Sequence, residues 1–559
     1  MSNCTQCNLQ FELSDKELEF LRHASPEYNG VKYEIPPPSH CPQCRVQRRM
    51  AWRNDRSFYK SKCDATGEEM ISLYPKGMPF KVFHSDYWWS DKWDPLEFGQ
   101  EYDFNKPFFA QWEELMNRVP RRNMDLVNCQ NSQYCNYCGD DKNCYLDIAG
   151  EANEDCYYNL FTKYSKNCAD CTFAYHSELC YECIQVYNCY NVRYAMYMDG
   201  CSESAFCFDC KGCKNCMLCA NLRDKQYYIL NEPHSKEEYE KKLEELKLNS
   251  FESILHVFDI WKKMRLEKGI YRDMVNINCE NSTGNNLKDC KNCFNCYNAT
   301  NCEDCAYLYD VLDAKDSQDL NYSLYKPEVA YELISTLNMR FCAFSMATHY
   351  CSKSFYCDLS DNSHDLFGCI GINHGKYCIL NKQYSQSEYE ELVPRIIEHM
   401  KSTREWGEFF PVNLSPSAYN ETVAQEYMPL TKEEVASRGF NWREMEEDIG
   451  EVERTIPAEQ LPDTIEEIPD DILNWAIVCE ESKKPFRIVK QELALYRQLK
   501  IPVPRRSPLQ RHKDRNALRN PRGLWERKCG KCGKDMHTSY GPEKPETVYC
   551  EECYLAEVY

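Results

Sequence analysis

At 559 residues the chain exceeds one ordinary hydrophobic core and calls for about three or four folding units. A formal net charge of −21 excludes wholesale phosphate binding, although local basic patches could still bind. No charged-then-apolar leader opens the sequence and no run of about 18 apolar residues occurs in it, so a cytoplasmic protein with no membrane partner is expected. In a reducing compartment, 37 cysteines point to metal sites or buried thiols rather than disulfides.

The first element is Cys4-Thr-Gln-Cys7 with Cys41-Pro-Gln-Cys44. Four thiolates on two such knuckles suit tetrahedral zinc. Between them, Ser14 and Glu17 form a capping box ahead of Leu18, Phe20 and Leu21, which predicts a helix. Pro36, Pro37 and Pro38 then stiffen the return to the second knuckle. A basic stretch follows, with Arg45, Arg48, Arg49 and Arg53. These arginines could meet phosphate or pair with acidic residues. Tyr87-Trp88-Trp89 and Trp93 read as a docking surface or core.

Sixteen cysteines lie between Cys129 and Cys219, all at positions divisible by three. Cys144, Cys156, Cys168 and Cys180 are spaced by twelve, as are Cys189, Cys201 and Cys213. A period of three fits neither a helix nor a plain strand. It predicts a β-solenoid whose coil closes after twelve residues, with small side chains inside and coils stacked about 4.8 Å apart. The remaining inward slots include Ala174, Ala195, Ser165, Ser177, Thr162 and Gly150, which fit; Met198 and Asp147 fit less well. Tyr145, Tyr157 and Tyr181 share one phase and predict an outer tyrosine stack.

The array recurs at an offset of 149–150. Asn128-Cys129 falls on Asn278-Cys279, Cys144 and Cys156 on Cys293 and Cys305, and Cys201, Cys207 and Cys219 on Cys351, Cys357 and Cys369. The boxes Ser235/Glu238 and Ser385/Glu388 predict closing helices near 236–247 and 386–401. Residues 306–341 of the second copy contain no cysteine. Cys210, Cys213, Cys216 and Cys219 imitate an iron–sulfur run. At the offset they become Ser360, Ser363, Leu366 and Cys369, and Cys189 becomes Met339. A core slot accepts such exchanges and a cluster ligand does not, so buried thiols are favoured over an iron–sulfur cluster. The run from Cys290 to Cys305 keeps the metal reading open.

Residues 413–470 form an acidic linker, with a short helix predicted by the Thr431/Glu434 box. Residues 500–528 carry ten basic residues, among them Arg511, Lys513, Arg515 and Arg519, against Asp514 and Glu526. The chain then closes on Cys529-Gly-Lys-Cys532-Gly533 and Cys550-Glu-Glu-Cys553, a C-x2-C-x17-C-x2-C zinc frame. The two ends match at an offset of 466: Arg45, Arg49 and Arg53 meet Arg511, Arg515 and Arg519, and Cys63 meets Cys529. Thr66, His84 and Tyr87 stand where the C-terminal module has Cys532, Cys550 and Cys553, so the second N-terminal site is degenerate. At 475, Cys4 and Cys7 meet Cys479 and Ser482, so the first C-terminal site is degenerate in turn. No phosphate loop, nucleophile elbow or H-E-x-x-H motif is present, and Asp140/Asp141 and Asp470/Asp471 suit a turn and a helix start better than acid–base chemistry.

The segment carrying C-x2-C, Phe11, Glu17-Leu18, Pro37-Pro38, C-P-x-C-R and Arg49 resembles a bacterial "probable zinc-ribbon" family over about 45 residues. With CPQCRVQRRMAWRNDRS, KVFHSDYWWSDKWDP, the Cys arrays and VYCEECY, the whole chain resembles Cys- and Tyr-rich zinc-ribbon proteins of candidate-phylum bacteria. The resemblance implies metal binding and no activity. The expected protein is mainly β with some α: tandem cysteine-lined β-solenoid segments flanked by duplicated zinc-ribbon modules. Its segments are 1–95, a ribbon pair; 105–255 and 256–412, the two arrays with closing helices; 413–470, the linker; and 471–559, the second ribbon pair. Zinc is expected on Cys4, Cys7, Cys41 and Cys44, and on Cys529, Cys532, Cys550 and Cys553. The expected function is a zinc-binding, non-enzymatic scaffold or macromolecular-interaction protein, with protein or nucleic acid as partner and the terminal modules packed together. The alternatives are nucleic-acid binding through Arg45, Arg48, Arg49, Arg53, Arg511, Lys513, Arg515 and Arg519, and metal storage or redox use of the array.

Overall fold

Left-handed backbone at every third residue shapes the middle of the chain. In the computed structural model, which describes residues 2–444 and 454–559, positive φ recurs at Leu146, Ala149, Ala152, Asp155, Tyr158 and Phe161 and onward in the same step. Each such residue precedes an inward one and turns the chain by a corner. A non-glycine residue there costs roughly 1–2 kcal/mol, least for Asn and Asp. Asn143, Asn167, Asp170, Asn191, Asp209 and Asn221 accordingly sit at this position. The cost is offset by parallel pairing in a register of twelve: Leu160, Thr172, Ile184 and Met196 are successive partners. Tyr145 N–H donates to Cys156 O at 3.0 Å and Tyr158 N–H to Tyr145 O at 2.9 Å, so each turn bonds to the turns on both sides. Corner asparagines add side-chain ladders, Asn286 to Asn298 at 3.0 Å and Asn298 to Asp310 at 2.7 Å.

The fold is mixed, with more strand than helix among the described residues. It divides into two units that cut across sequence order: residues 1–124 with 274–444, and residues 125–273 with 445–559. The five segments read from the sequence thus regroup. The N-terminal module belongs with the second array, and the C-terminal module with the first.

In the second unit the ladder core is Cys135 through Cys219 with Ala174, Val186, Val192, Ala195 and Met198, all buried. Met198 fits despite its length, at 0% exposure. Tyr157 and Tyr181 do share a phase, but they are buried in a core cluster, Tyr181 against Tyr496 and Tyr145 half-buried at its margin, rather than forming an outer stack. In the first unit the cysteine-free stretch does not interrupt the ladder. Lys315–Asn321 pairs with Glu328–Ile334 in a register of thirteen, and Leu308, Val311, Ala314, Leu320, Ala330 and Leu333 take the inward slots.

Both ladders stop in the same way. Gln226–Ile229 and Lys376–Ile379 are followed by short antiparallel returns at Glu232–Pro233 and Lys382–Gln383. The capping boxes at Ser235 and Ser385 then start helices Lys236–Glu245 and Gln386–Thr403. A second helix, Phe251–Lys268, follows the first of these and has no counterpart in the sequence reading. At the last turn an asparagine side chain replaces a strand: Asn381 accepts from Ile370 N–H and donates to Ile370 O, both at 2.8 Å. Asn231 makes the same pair with Ala220 at 2.9 and 3.0 Å. This amide occupies the edge that would otherwise recruit another chain.

Asn381→Ala is expected to lower the stability of the first unit by roughly 2–4 kcal/mol, because it leaves a buried N–H and C=O unpaired. Denaturant unfolding followed by tryptophan fluorescence checks this. An unchanged midpoint would mean that the closing helix alone guards the edge.

Candidate metal centres

Each terminal thiol group is assembled from a hairpin and a helix cap. Ser2–Asn3 pairs antiparallel with Gln10–Phe11, and the knuckle between them is closed by Asn8 N–H on Cys4 O at 2.9 Å. Cys41 is the N-cap of helix Pro42–Met50, with Pro42 in the first turn, where a missing N–H leaves nothing unpaired. The sulfurs of Cys4, Cys7, Cys41 and Cys44 lie within 4.8 Å of one another, Cys7 and Cys41 at 3.7 Å. At the other end, Trp525–Lys528 pairs with Asp535–Thr538, and Gly533 at φ 75° allows the tight knuckle turn. Cys550 caps helix Glu551–Val558. The sulfurs of Cys529, Cys532, Cys550 and Cys553 again lie within 4.8 Å, Cys532 and Cys550 at 3.8 Å.

One sulfur of each set is prepared as a thiolate. Burial raises the Cys4 thiol, but the N–H groups of Cys41, Cys7 and Gln6 outweigh it and bring it down to about 6. Cys529, facing the N–H groups of Cys532, Cys550 and Lys531, is likewise brought to about 6. Their partners move the other way: burial and adjacent sulfurs push Cys44 far up and Cys553 to about 12. Four thiolates cannot ionise side by side without a cation among them, and a divalent metal makes all four favourable. Both groups fit a metal ion such as Zn2+ on donor number, chemistry and spacing.

The degenerate sites keep the cradle and lose the ligands. His84 N–H donates to Cys63 Sγ at 3.3 Å, as Cys550 N–H does to Cys529 Sγ. Ser507 N–H donates to Cys479 Sγ at 3.2 Å. In both, the backbone turn holds a sulfur that has no thiol partner among the described residues.

The basic residues do not form an exposed face. Arg45, Arg48, Arg49 and Arg53 are at most 4% exposed, and most of their partners are ladder residues. Arg45 meets Asp319 at 2.9 Å, Arg48 meets Glu332 at 2.6 Å, and Arg49 meets both, at 3.1 and 3.5 Å. Arg53 bonds Asp55 at 2.7 Å and lies over Tyr322. The second unit repeats the pattern: Arg511 and Arg515 meet Asp170 at 2.9 Å, and Arg515 meets Glu182 at 3.2 Å. Arg519 is half-buried over Phe173, and Lys513 alone of the eight is exposed. Burial raises Glu332, but Arg48, Arg49 and Arg45 hold it below the usual carboxylate range.

These acidic partners escaped the sequence reading, although a signal existed. Asp170 and Asp319 are 149 apart and Glu182 and Glu332 are 150 apart, as are the arrays. Tyr158 and Tyr307, under Arg511 and Arg45, keep the same offset. The acidic linker has other roles. Asp463 caps Phe251–Lys268 by accepting from Glu252 N–H at 2.9 Å, and Leu461, Ile465, Ile468 and Ile472 are buried. Helix Lys432–Ser437 starts at the Thr431/Glu434 box, whereas Glu446, Glu447, Asp448, Glu451 and Glu453 lie outside the described residues. Trp88 is buried, and Trp93 Nε1 donates to Trp88 O at 2.8 Å.

The array thiols are core groups. Cys171 Sγ points at Ala169 O at 3.3 Å and Cys180 O at 3.5 Å, and Cys183, Cys207 and Cys369 repeat the geometry. Ser165 makes the same pair of bonds, to Lys163 O and Ala174 O, which explains why Cys and Ser exchange between arrays. Burial pushes Cys156, Cys171, Cys207 and Cys296 well above the ordinary thiol value, so they stay protonated. All 37 cysteines are free of disulfides. No protein-family model matches the chain, and no curated protein matches it.

Two substitutions separate structural from surface cations. Arg49→Met is expected to cost about 3–5 kcal/mol by stranding Asp319 and Glu332, whereas Lys513→Met should change stability by less than about 0.5 kcal/mol. Chemical denaturation of the two variants checks both. In the core, Cys171→Ser is expected to cost only about 1 kcal/mol, since Ser reproduces the carbonyl bonds.

Proposed function

We propose that the chain is a zinc-binding, non-enzymatic scaffold, in which two cysteine-lined β-solenoid segments of twelve-residue coils are each clasped by a zinc-ribbon module. The observation that carries this reading is the burial of the ribbon arginines against ladder carboxylates. At the N-terminal end the four-cysteine knuckle fixes the start of the helix that bears Arg45, Arg48 and Arg49, so a metal there supports a packed interface. Four cysteines also fill a tetrahedral site, which suits a structural ion better than a catalytic one. Phosphate recognition needs accessible cations, and six of the eight candidates are buried. The scaffold therefore offers its surface to a macromolecular partner by shape and polar side chains rather than through these arginines.

Protein purified without air is expected to hold zinc at both ends. The pair Cys4→Ser/Cys7→Ser should remove one ion per chain, and Cys532→Ser/Cys553→Ser a second. Stripping the metal should expose 1–95 and 471–559 to proteolysis while the β circular-dichroism signal persists. Iron with sulfide, or zinc indifferent to both substitution pairs, would overturn the reading.

A further inference from the structure

The ladder of the second unit contains one place where its apolar rule fails. Asp141 and Asp147 occupy inward positions at 0% exposure, side by side with thiols. The donor atoms of Cys135, Cys138 and Asp141 lie within 4.8 Å of one another, and so do those of Asp141, Cys144 and Asp147. One carboxylate oxygen of each aspartate is engaged: Asp141 Oδ1 accepts from Asn153 N–H and Asp147 Oδ2 from Asn153 Nδ2, both at 2.9 Å. The other oxygens, Asp141 Oδ2 and Asp147 Oδ1, are buried with no hydrogen-bond donor among the described residues. Neither aspartate has an ion pair among the described residues, unlike buried Asp170, which takes two guanidinium groups.

Leaving two carboxylates dry and unpaired costs several kcal/mol per charge. The fold does not require them. By strand register, Leu126–Val127 on Cys138–Gly139 corresponds to Asn276–Ile277 on Leu287–Lys288. The first unit therefore builds the same turn with Gly284, Leu287 and Cys290 where the second has Cys135, Cys138 and Asp141. Gly150 supplies further evidence. A Cβ there would fall 2.6 Å from Asp141 Oδ2, 2.7 Å from Asp147 Oδ2 and 2.9 Å from Asn153 Nδ2. These polar atoms thus converge beside a residue with no side chain, and the equivalent position of the first unit is Ala299.

We infer that Cys135, Cys138, Cys144, Asp141 and Asp147 form a third metal site, an interior one, that takes a zinc-class divalent cation. Mixed sulfur and carboxylate oxygen suits zinc and disfavours magnesium or calcium. Cys135, Cys138 and Asp141 supply three ligands; Asp141 is shared with the second group, and Asp147 or Cys144 supplies the fourth after a side-chain rotation toward the first three. Binding releases the thiol protons to solvent, and the negative ligands compensate the buried charge of the ion. Because the site is closed to solvent, the ion enters as the chain folds.

The test is a metal count by elemental analysis and native mass spectrometry on full-length protein refolded without air in the presence of zinc alone. Wild type should hold three zinc ions, and the double variant Asp141→Asn/Asp147→Asn two. Gly150→Ala changes no ligand and fills the convergence point, so it too should hold two. Two ions in wild type, or three retained in either variant, would overturn the site; the first result would indicate a proton shared between the two carboxyls. Should the double variant not fold, Gly150→Ala and cobalt reconstitution decide. A third cobalt with weaker thiolate charge-transfer absorption than the terminal two supports the site, and three equal tetrathiolate spectra refute it. The terminal sites fail separately: a single zinc, lost with Gly150→Ala and indifferent to the terminal cysteine pairs, would refute them and leave this site standing.

Discussion

Buried guanidinium–carboxylate pairs join each unit across the widest gap in its sequence. Arg45, Arg48 and Arg49 leave one helix and end on Asp319 and Glu332, 270 or more residues later. Arg511 and Arg515 reach back to Asp170 and Glu182 over more than 330. Such pairs add little net stability, because desolvation consumes most of the attraction. Their contribution is positional. A ladder of near-identical triplets offers many sites on which a helix could settle, and only one places both acids under the arginines. A slip of one turn would bury several cations without partners.

The metal groups act on the same contact from the other side. A knuckle of four sulfurs holds the cap residue Cys41, and the helix that follows presents its arginines in a fixed direction. In the C-terminal module the equivalent cap is Ser507, whose hydroxyl accepts from Gln510 N–H at 3.3 Å. There the helix start is held by an ordinary cap, and Ser507 N–H still reaches the lone sulfur of Cys479. One geometry is thus held by a four-sulfur cradle in one unit and by hydrogen bonds in the other.

Much of this was legible in the sequence because it is periodic or local. The step of three, the register of twelve, the capping boxes and both four-cysteine frames follow from spacing alone. What stayed hidden depends on long-range partners. The arginines announced charge but not destination, and Asp319 and Glu332 lay in a stretch whose lack of cysteine masked its membership of the ladder. There the inward slots are simply filled by Leu, Val, Ala and Ser. The tyrosines were placed in the right phase but on the wrong side of the water boundary, because phase does not say what covers a face. Asp147 was noticed as a misfit among the inward positions, and it is the misfits that mark where a repeating core departs from packing.

The interleaving of the two units sets an order of events during synthesis. The first module's arginines leave the ribosome some 270 residues before the acids they pair with, and the first ladder is made before the C-terminal segment that packs on its aromatic side. Rings such as Tyr158 and Tyr181, which meet Glu492 and Tyr496, therefore lack these partners until residues 461–503 emerge. At typical elongation rates that interval lasts tens of seconds. The nascent chain must spend it with a finished stack of strands and an unfinished roof, so protection of that face falls to helpers outside the molecule or to transient cover from the chain's own earlier segments.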